Sequence, residues 1–150
     1  MNKPLIIKKA TADDLEIVSK IEKTAVRKFY STGISKKQVL EYIKREVILL
    51  AFVEDKIIGK ISYQKHLGFV YISGLVIMPE WRKMGYGTIL SEHVLVLFPR
   101  VNLFKLTVHP ENKRAINLYQ KLGFMEAKRL DNPYGDNEPR VVMKFTRVKN

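Results

Sequence analysis

The sequence predicts an α/β fold on a mixed central β-sheet of about seven strands with four helices, in the order β-α-α-β-β-β-α-β-α-β-β. Three observations carry this. Strand-like apolar runs alternate with apolar stripes at helical spacing along the chain, with no repeat, linker or low-complexity tract between them. The run Phe69 to Met78 is apolar on both faces, as a central strand buried on both sides should be. A glycine-rich turn, Arg82-Lys83-Met84-Gly85-Tyr86-Gly87, then separates that run from a helical pattern.

The elements follow in order. Pro4 to Ala10 reads as a first strand. Thr11-x-x-Asp14 has the form of a capping box, and Leu15, Val18, Ile21, Ala25 and Phe29 continue at helical spacing, with a stop at Ser31-Thr32-Gly33. Ser35 is an N-cap for a second helix to about Arg45, with Val39, Leu40 and Ile43 inward. Val47 to Glu54 and Ile57 to Gln64 are strands joined by a tight turn at Asp55-Lys56. After the glycine turn, Ile89, Leu90, Val94, Leu97 and Phe98 form the stripe of a third helix. Leu103 to Val108 is a strand, and Ala115, Leu118, Tyr119 and Leu122 mark a fourth helix ending at Gly123-Phe124. Phe124 to Leu130 and Val141 to Arg147 are closing strands around a turn-rich loop, Asp131 to Asn137.

The glycine turn has a chemical reading. Strand, glycine-rich turn and helix together aim unpaired backbone N–H groups and a helix dipole at an anion. Gly85 and Gly87 remove side chains where a phosphate must come close, and Arg82 and Lys83 add charge. The pattern lacks the third glycine of a dinucleotide fingerprint, since Leu90 stands there, and the Gly-Lys-Ser/Thr of a nucleotide-triphosphate loop. A plain helix start with two glycines is the alternative.

The order Arg-x-x-Gly-x-Gly, strand, Asn112, Ala115-Ile116-x-Leu118-Tyr119 and Lys121-Leu122-Gly123-Phe124 resembles the GNAT superfamily of acetyl-CoA-dependent N-acetyltransferases. The resemblance covers about Leu75 to Phe124 and implies a GNAT fold and transfer of an acetyl group from acetyl-CoA to a primary amine. It also implies that the strands before the two motifs lie parallel and then splay, with acyl-CoA entering the gap from one side and the amine from the other.

Composition agrees. The 150 residues are 46% apolar, enough for a single domain over residues 1–150 with its own core. No stretch reaches the ~18 apolar residues of a membrane span. Lys8 and Lys9 interrupt the only N-terminal apolar run, and with zero cysteines there is no disulfide, thiol nucleophile or thiolate metal site. A cytoplasmic protein without a metal is the expectation. The net charge of +12 is scattered rather than blocked, which makes nucleic acid a poor partner. Arg82-Lys83 and Lys113-Arg114 flank the two motifs, which suits the polyanionic coenzyme A.

The resemblance implies individual roles. Backbone N–H groups of Lys83, Met84, Gly85, Tyr86, Gly87 and Thr88 would hold the pyrophosphate with help from Arg82, and the backbone of Leu75, Val76 and Ile77 would pair with the pantetheine arm. Asn112 sits at a cofactor contact and equally at an ordinary N-cap. Tyr119 is the candidate acid, because a phenol of pKa about 10 can protonate the departing thiolate. Tyr71 stands where one N-terminal acetyltransferase branch has a catalytic Tyr. Its usual partner, a His on the next strand, is here Thr107. His109 lies two residues further and reads as a strand-end residue before Pro110.

No carboxylate occurs in Phe69 to Met78; Glu22, Glu41 and Glu46 are the candidates to reach the site instead. The missing base favours an α-amine, pKa about 8 and roughly 10% neutral at pH 7, over a lysine that is under about 0.1% neutral. Tyr134-Gly135-Asp136 before Val141-Val142-Met143 resembles the substrate hairpin of N-terminal acetyltransferases, and Phe29-Tyr30 occupies the opposite wall. A protein or peptide N-terminus is therefore the expected acceptor. The alternatives are a small amine such as a polyamine, amino sugar or amino acid, and a non-catalytic basic module or acyl-CoA sensor.

Overall fold

The computed structural model describes residues 3–25 and 35–148. A first strand, β1 (Leu5–Lys9), leads into a 3-10 turn at Ala12–Asp14 and then α1 (Leu15–Thr24). The capping box at Thr11 is present: the Asp14 carboxylate accepts from the Thr11 N–H at 2.8 Å. It closes the short turn rather than the helix itself. The sequence pattern carried this helix to Phe29, but α1 ends at Thr24, because Ala25 is extended. Phe29, Tyr30 and the expected stop at Ser31-Thr32-Gly33 lie outside the described residues.

Helix α2 (Lys36–Arg45) begins at Ser35, where the hydroxyl accepts from the Gln38 N–H and the Gln38 side chain accepts from the Ser35 N–H. Strands β2 (Val47–Val53) and β3 (Lys56–His66) form a hairpin. Its turn falls at Glu54-Asp55, one residue earlier than the sequence indicated, with both residues at positive φ. Two successive left-handed residues match the right-handed twist of the strands. The remaining elements are β4 (Phe69–Ile77), α3 (Tyr86–Leu97), β5 (Leu103–Val108), α4 (Lys113–Leu122), β6 (Met125–Leu130) and β7 (Arg140–Thr146).

The seven strands form one sheet in the order β1-β2-β3-β4-β5-β7-β6. Among the described strands only β4 and β5 run parallel; every other neighbouring pair is antiparallel. Strand β2 shows how the layers form: Leu49, Ala51 and Val53 face the core under α3 and α4, while Ile48 and Leu50 face the core under α1 and α2. Its unbroken apolar run is the signature of burial on both sides.

Strand β4 departs from that expectation. Ser62 pairs with Gly74 and Tyr63 with Ile72, so Ser73 is an extra residue, a β-bulge. Before it, Val70 and Ile72 point to the α3/α4 core; after it, Leu75 and Ile77 do, and Val76 joins the α1/α2 core. Tyr71, Ser73, Gly74 and Leu75 stay half-buried, because they line a cleft rather than a core.

Candidate active site

The cleft opens where the sheet splits. Strands β4 and β5 pair at only three positions, Val70 with Phe104, Tyr71 with Lys105 and Ile72 with Leu106. Beyond Ile72 they part, at the carboxyl ends of two parallel strands, the usual binding position in open α/β sheets. The opening encloses about 270 Å³. Ser73, Gly74 and Leu75 line one side and Thr107, Val108 and His109 the other.

Helix α4 reaches this gap from one face of the sheet, with Asn112, Ala115 and Tyr119. Tyr119 is buried, and what fixes it is the end of its own helix. Gly123 turns left-handed at φ 108°, the Phe124 N–H donates to the Tyr119 carbonyl at 2.9 Å, and the Phe124 ring packs edge-on against Tyr119 at 5.3 Å. The Lys-Leu-Gly-Phe sequence is therefore a helix stop that doubles as a mount for the phenol. Asn112 is an N-cap, accepting from the Ala115 N–H at 3.3 Å, and it also lines the cleft, so both of its expected places hold together.

The glycine turn lies beside the end of β4. Arg82 donates from Nε to the Ile77 carbonyl at 2.9 Å, which ties the turn to the strand. Lys83 and Gly85 both have positive φ, 65° and 89°. The first α3 hydrogen bond joins the Ile89 N–H to the Gly85 carbonyl, so the N–H groups of Tyr86, Gly87 and Thr88 have no carbonyl within the helix. Three such donors at a helix start fit a pyrophosphate.

The two glycines serve different ends. A Cβ at Gly85 would meet nothing within 4 Å, so only its backbone conformation demands glycine. A Cβ at Gly87 would lie 2.9 Å from Leu118 Cδ1 and 3.6 Å from Leu75 Cδ2. The absence of a side chain at Gly87 thus lets α3 pack closely on α4 and β4. Gly85→Ala should cost about 1–2 kcal/mol of stability through left-handed strain, measured as a lower urea midpoint. An unchanged midpoint would show that the turn relaxes freely. A bulky residue at Gly87 would disturb the helix pair, and so would not report cleanly on the cofactor.

A second group of polar residues lies on the opposite face. Glu46, at the end of α2 and just before β2, forms a row with Gln64 of β3 and Tyr71 of β4. Gln64 pairs with Tyr71 in the ladder, and Gln64 Nε2 donates to Glu46 Oε1 at 2.9 Å. The Tyr71 hydroxyl donates to Thr107 Oγ1 at 3.0 Å and meets the Tyr134 hydroxyl at 3.5 Å. Burial pushes the Tyr71 phenol above the ordinary tyrosine range, and the hydrogen bonds and the Glu46 charge leave it there. At neutral pH it is therefore a neutral hydrogen-bonding group.

The loop between β6 and β7 covers this side. Tyr134 stands over the buried Arg140 guanidinium at 4.9 Å, and Arg140 pairs with Asp136 at 2.7 Å. His109 is buried: Nδ1 accepts from the Glu111 N–H, and Nε2 lies 2.8 Å from Glu138. That geometry puts the imidazole proton on Nε2. His109 is the strand-end residue the sequence indicated, with the added task of holding the loop.

One polar cluster escaped the sequence. Lys60, buried on the α1/α2 face, lies 2.8 Å from Glu22 of α1, though off the hydrogen-bonding direction of that oxygen. It donates to the Tyr42 hydroxyl of α2, which bonds Ser62, which accepts from the bulge residue Ser73 at 2.9 Å. Glu22 is thereby committed to Lys60. Its signal was available: Lys60, Ser62 and Gln64 are polar at every second position and alternate with the apolar Ile61 and Tyr63.

The cleft thus combines a split parallel pair, a helix start with unpaired N–H groups on one face and a row of polar side chains on the other. Residues 16–124 match the acetyltransferase (GNAT) family, and the chain belongs to that family. It is an N-acetyltransferase with acetyl-CoA as cosubstrate. A curated N-alpha-acetyltransferase of Sulfurisphaera tokodaii is 26% identical, covering 91% of this chain and 90% of the relative. The crystal structure of Ard1 from Thermoplasma volcanium superposes with a TM-score of 0.83 at 23% identity, over 97% and 99% of the two chains. PaiA N-acetyltransferase from Thermoplasma acidophilum, solved with coenzyme A, gives 0.77 at 20% identity, over 95% and 99%. Among the described residues no helix is long and apolar enough to cross a membrane.

Proposed function

We propose that this acetyltransferase acts on the α-amine of a protein or peptide N-terminus. The observation that carries the reading is the meeting of Tyr71 and Tyr134 over the cleft. A strand tyrosine and a loop tyrosine close on the acceptor side, and their hydroxyls face a substrate backbone rather than a compact charged amine. The similarity to the Sulfurisphaera N-alpha-acetyltransferase supports the same choice.

In this reading the N–H groups of Tyr86, Gly87 and Thr88 hold the pyrophosphate, with the Arg82 and Lys83 side chains beside it. The β4 backbone at Leu75 to Ile77 receives the pantetheine arm and polarises the thioester carbonyl. The neutral α-amine attacks from the Tyr71 side, the carbon–sulfur bond breaks, and Tyr119 gives its phenolic proton to sulfur.

The test is mass spectrometry of acetyl transfer to peptides with free N-termini, beside matched peptides with blocked N-termini and internal lysines, and a panel of small amines. Acetylation confined to free N-termini is the expected result. Transfer only to small amines would overturn the acceptor and leave the family chemistry in place. No transfer at all would favour a binding module on the same fold.

A further inference from the structure

We propose that Glu46 captures the ammonium group of the acceptor and takes its proton before attack. The proposal rests on the reading of this cleft as the acceptor site, and it needs an amine there rather than a peptide in particular.

Three observations carry it. Glu46 is the sole carboxylate among the described residues that line the cleft. Strand β4, which forms the cleft floor, has none, and Glu22 is held by Lys60. Glu46 is also placed, not merely near. It closes α2 as its C-cap, its side chain is nearly buried, and Gln64 braces Oε1. The row Glu46, Gln64, Tyr71 runs across the sheet toward the point where β4 and β5 part. Finally, the chain carries a net charge of +12, so a cationic substrate needs a local anion to enter.

The groups facing the carboxylate are few. Arg45, on the helix that Glu46 ends, lies 3.5 Å from Oε2 with an exposed, solvated side chain. Tyr71 on β4, His109 after β5, and Tyr134 and Arg140 from the hairpin line the rest of the cleft. Arg140 is engaged by Asp136 and His109 by Glu138. None of them competes as a proton acceptor, since Tyr71 is a neutral phenol and His109 uses both ring nitrogens.

The protons balance. The ammonium gives one proton to Glu46, and the free amine forms the C–N bond. The second proton leaves nitrogen as the carbon–sulfur bond breaks, and replaces through solvent the one that Tyr119 gives to sulfur. Glu46 then releases its proton to water, so each turnover yields amide, thiol and one proton.

The experiment compares the pH dependence of kcat/KM for wild type and Glu46→Gln, using the full chain, acetyl-CoA and a peptide with a free α-amine. The variant should lose about 10²-fold near pH 7 and recover as pH rises through the pKa of the amine, with acetyl-CoA affinity unchanged. The deficit should shrink for an amine of low pKa, already neutral at pH 7. Gln64→Leu removes the brace but keeps the carboxylate, so it should shift the profile in the same direction by less; it decides the matter if Glu46→Gln fails to fold. Superimposable profiles would overturn the proposal, and so would a loss that is the same at every pH. If wild type acetylates small amines but not peptides, the α-amine reading fails, and the same comparison on the accepted amine decides Glu46 independently.

Discussion

Replacing Tyr119 by Phe is expected to lower kcat by about 10²–10⁴-fold while leaving the affinity for acetyl-CoA nearly unchanged. The substitution removes one oxygen and keeps the ring, so the edge-on contact with Phe124 survives. In the proposed mechanism, the lost function is the proton for the departing sulfur. Without it the thiolate must leave as an anion in a largely buried cleft, where an unpaired charge is costly. A rate assay following free thiol would show the loss. An acyl donor whose thiol is more acidic should narrow it, because a better leaving group needs less help. An unchanged kcat would remove Tyr119 from the chemistry and leave it as a packing residue.

The second large effect concerns stability. Burial disfavours the Lys60 ammonium, but attraction from the Tyr42 oxygen and the Glu22 carboxylate outweighs it and holds the group above the ordinary lysine range. Lys60→Met should therefore cost about 3–5 kcal/mol, because it leaves the Glu22 carboxylate buried without its counter-charge. Urea unfolding should show a lower midpoint. The double variant Lys60→Met with Glu22→Leu should regain most of the loss, since replacing both partners leaves no stranded charge. The wild type has a matching pH dependence. The folded pKa lies above the unfolded value of about 10.4, so this stabilisation is whole below about pH 10 and is lost as pH climbs through the folded value. If the single variant keeps the wild-type midpoint, the pair contributes little and the network is decorative.

Element identity and order were legible in the sequence because apolar periodicity is a local property. The strand before the glycine turn, the N-caps at Ser35 and Asn112 and the Gly123 stop each depend on a few adjacent residues, and each is where the pattern placed it. The site was legible in part. Tyr119, Asn112, Tyr71 and Tyr134 come to one cleft, as expected of them together. What stayed hidden depends on which strands lie side by side. Glu46 and Tyr71 are far apart in the chain and are brought together by Gln64, which pairs with Tyr71 in the ladder and donates its side-chain amide to Glu46. The pairing of Lys60 with Glu22 needs α1 to cross β3. The packing demand on Gly87 came into view only with Leu118, from another helix.

The extra residue at Ser73 makes β4 a strand read in two frames. Its first half addresses one layer of the protein with even-numbered side chains and its second half with odd-numbered ones. Deleting Ser73 would close the extra step into a regular ladder, with Ile72 still opposite Tyr63 and Leu75 still opposite Ile61, so both halves would keep their layers and only the step in the cleft wall would be lost. The surplus residue is thus a device for shaping the cleft wall: it opens a polar step in the strand while both flanking halves stay anchored in the same core.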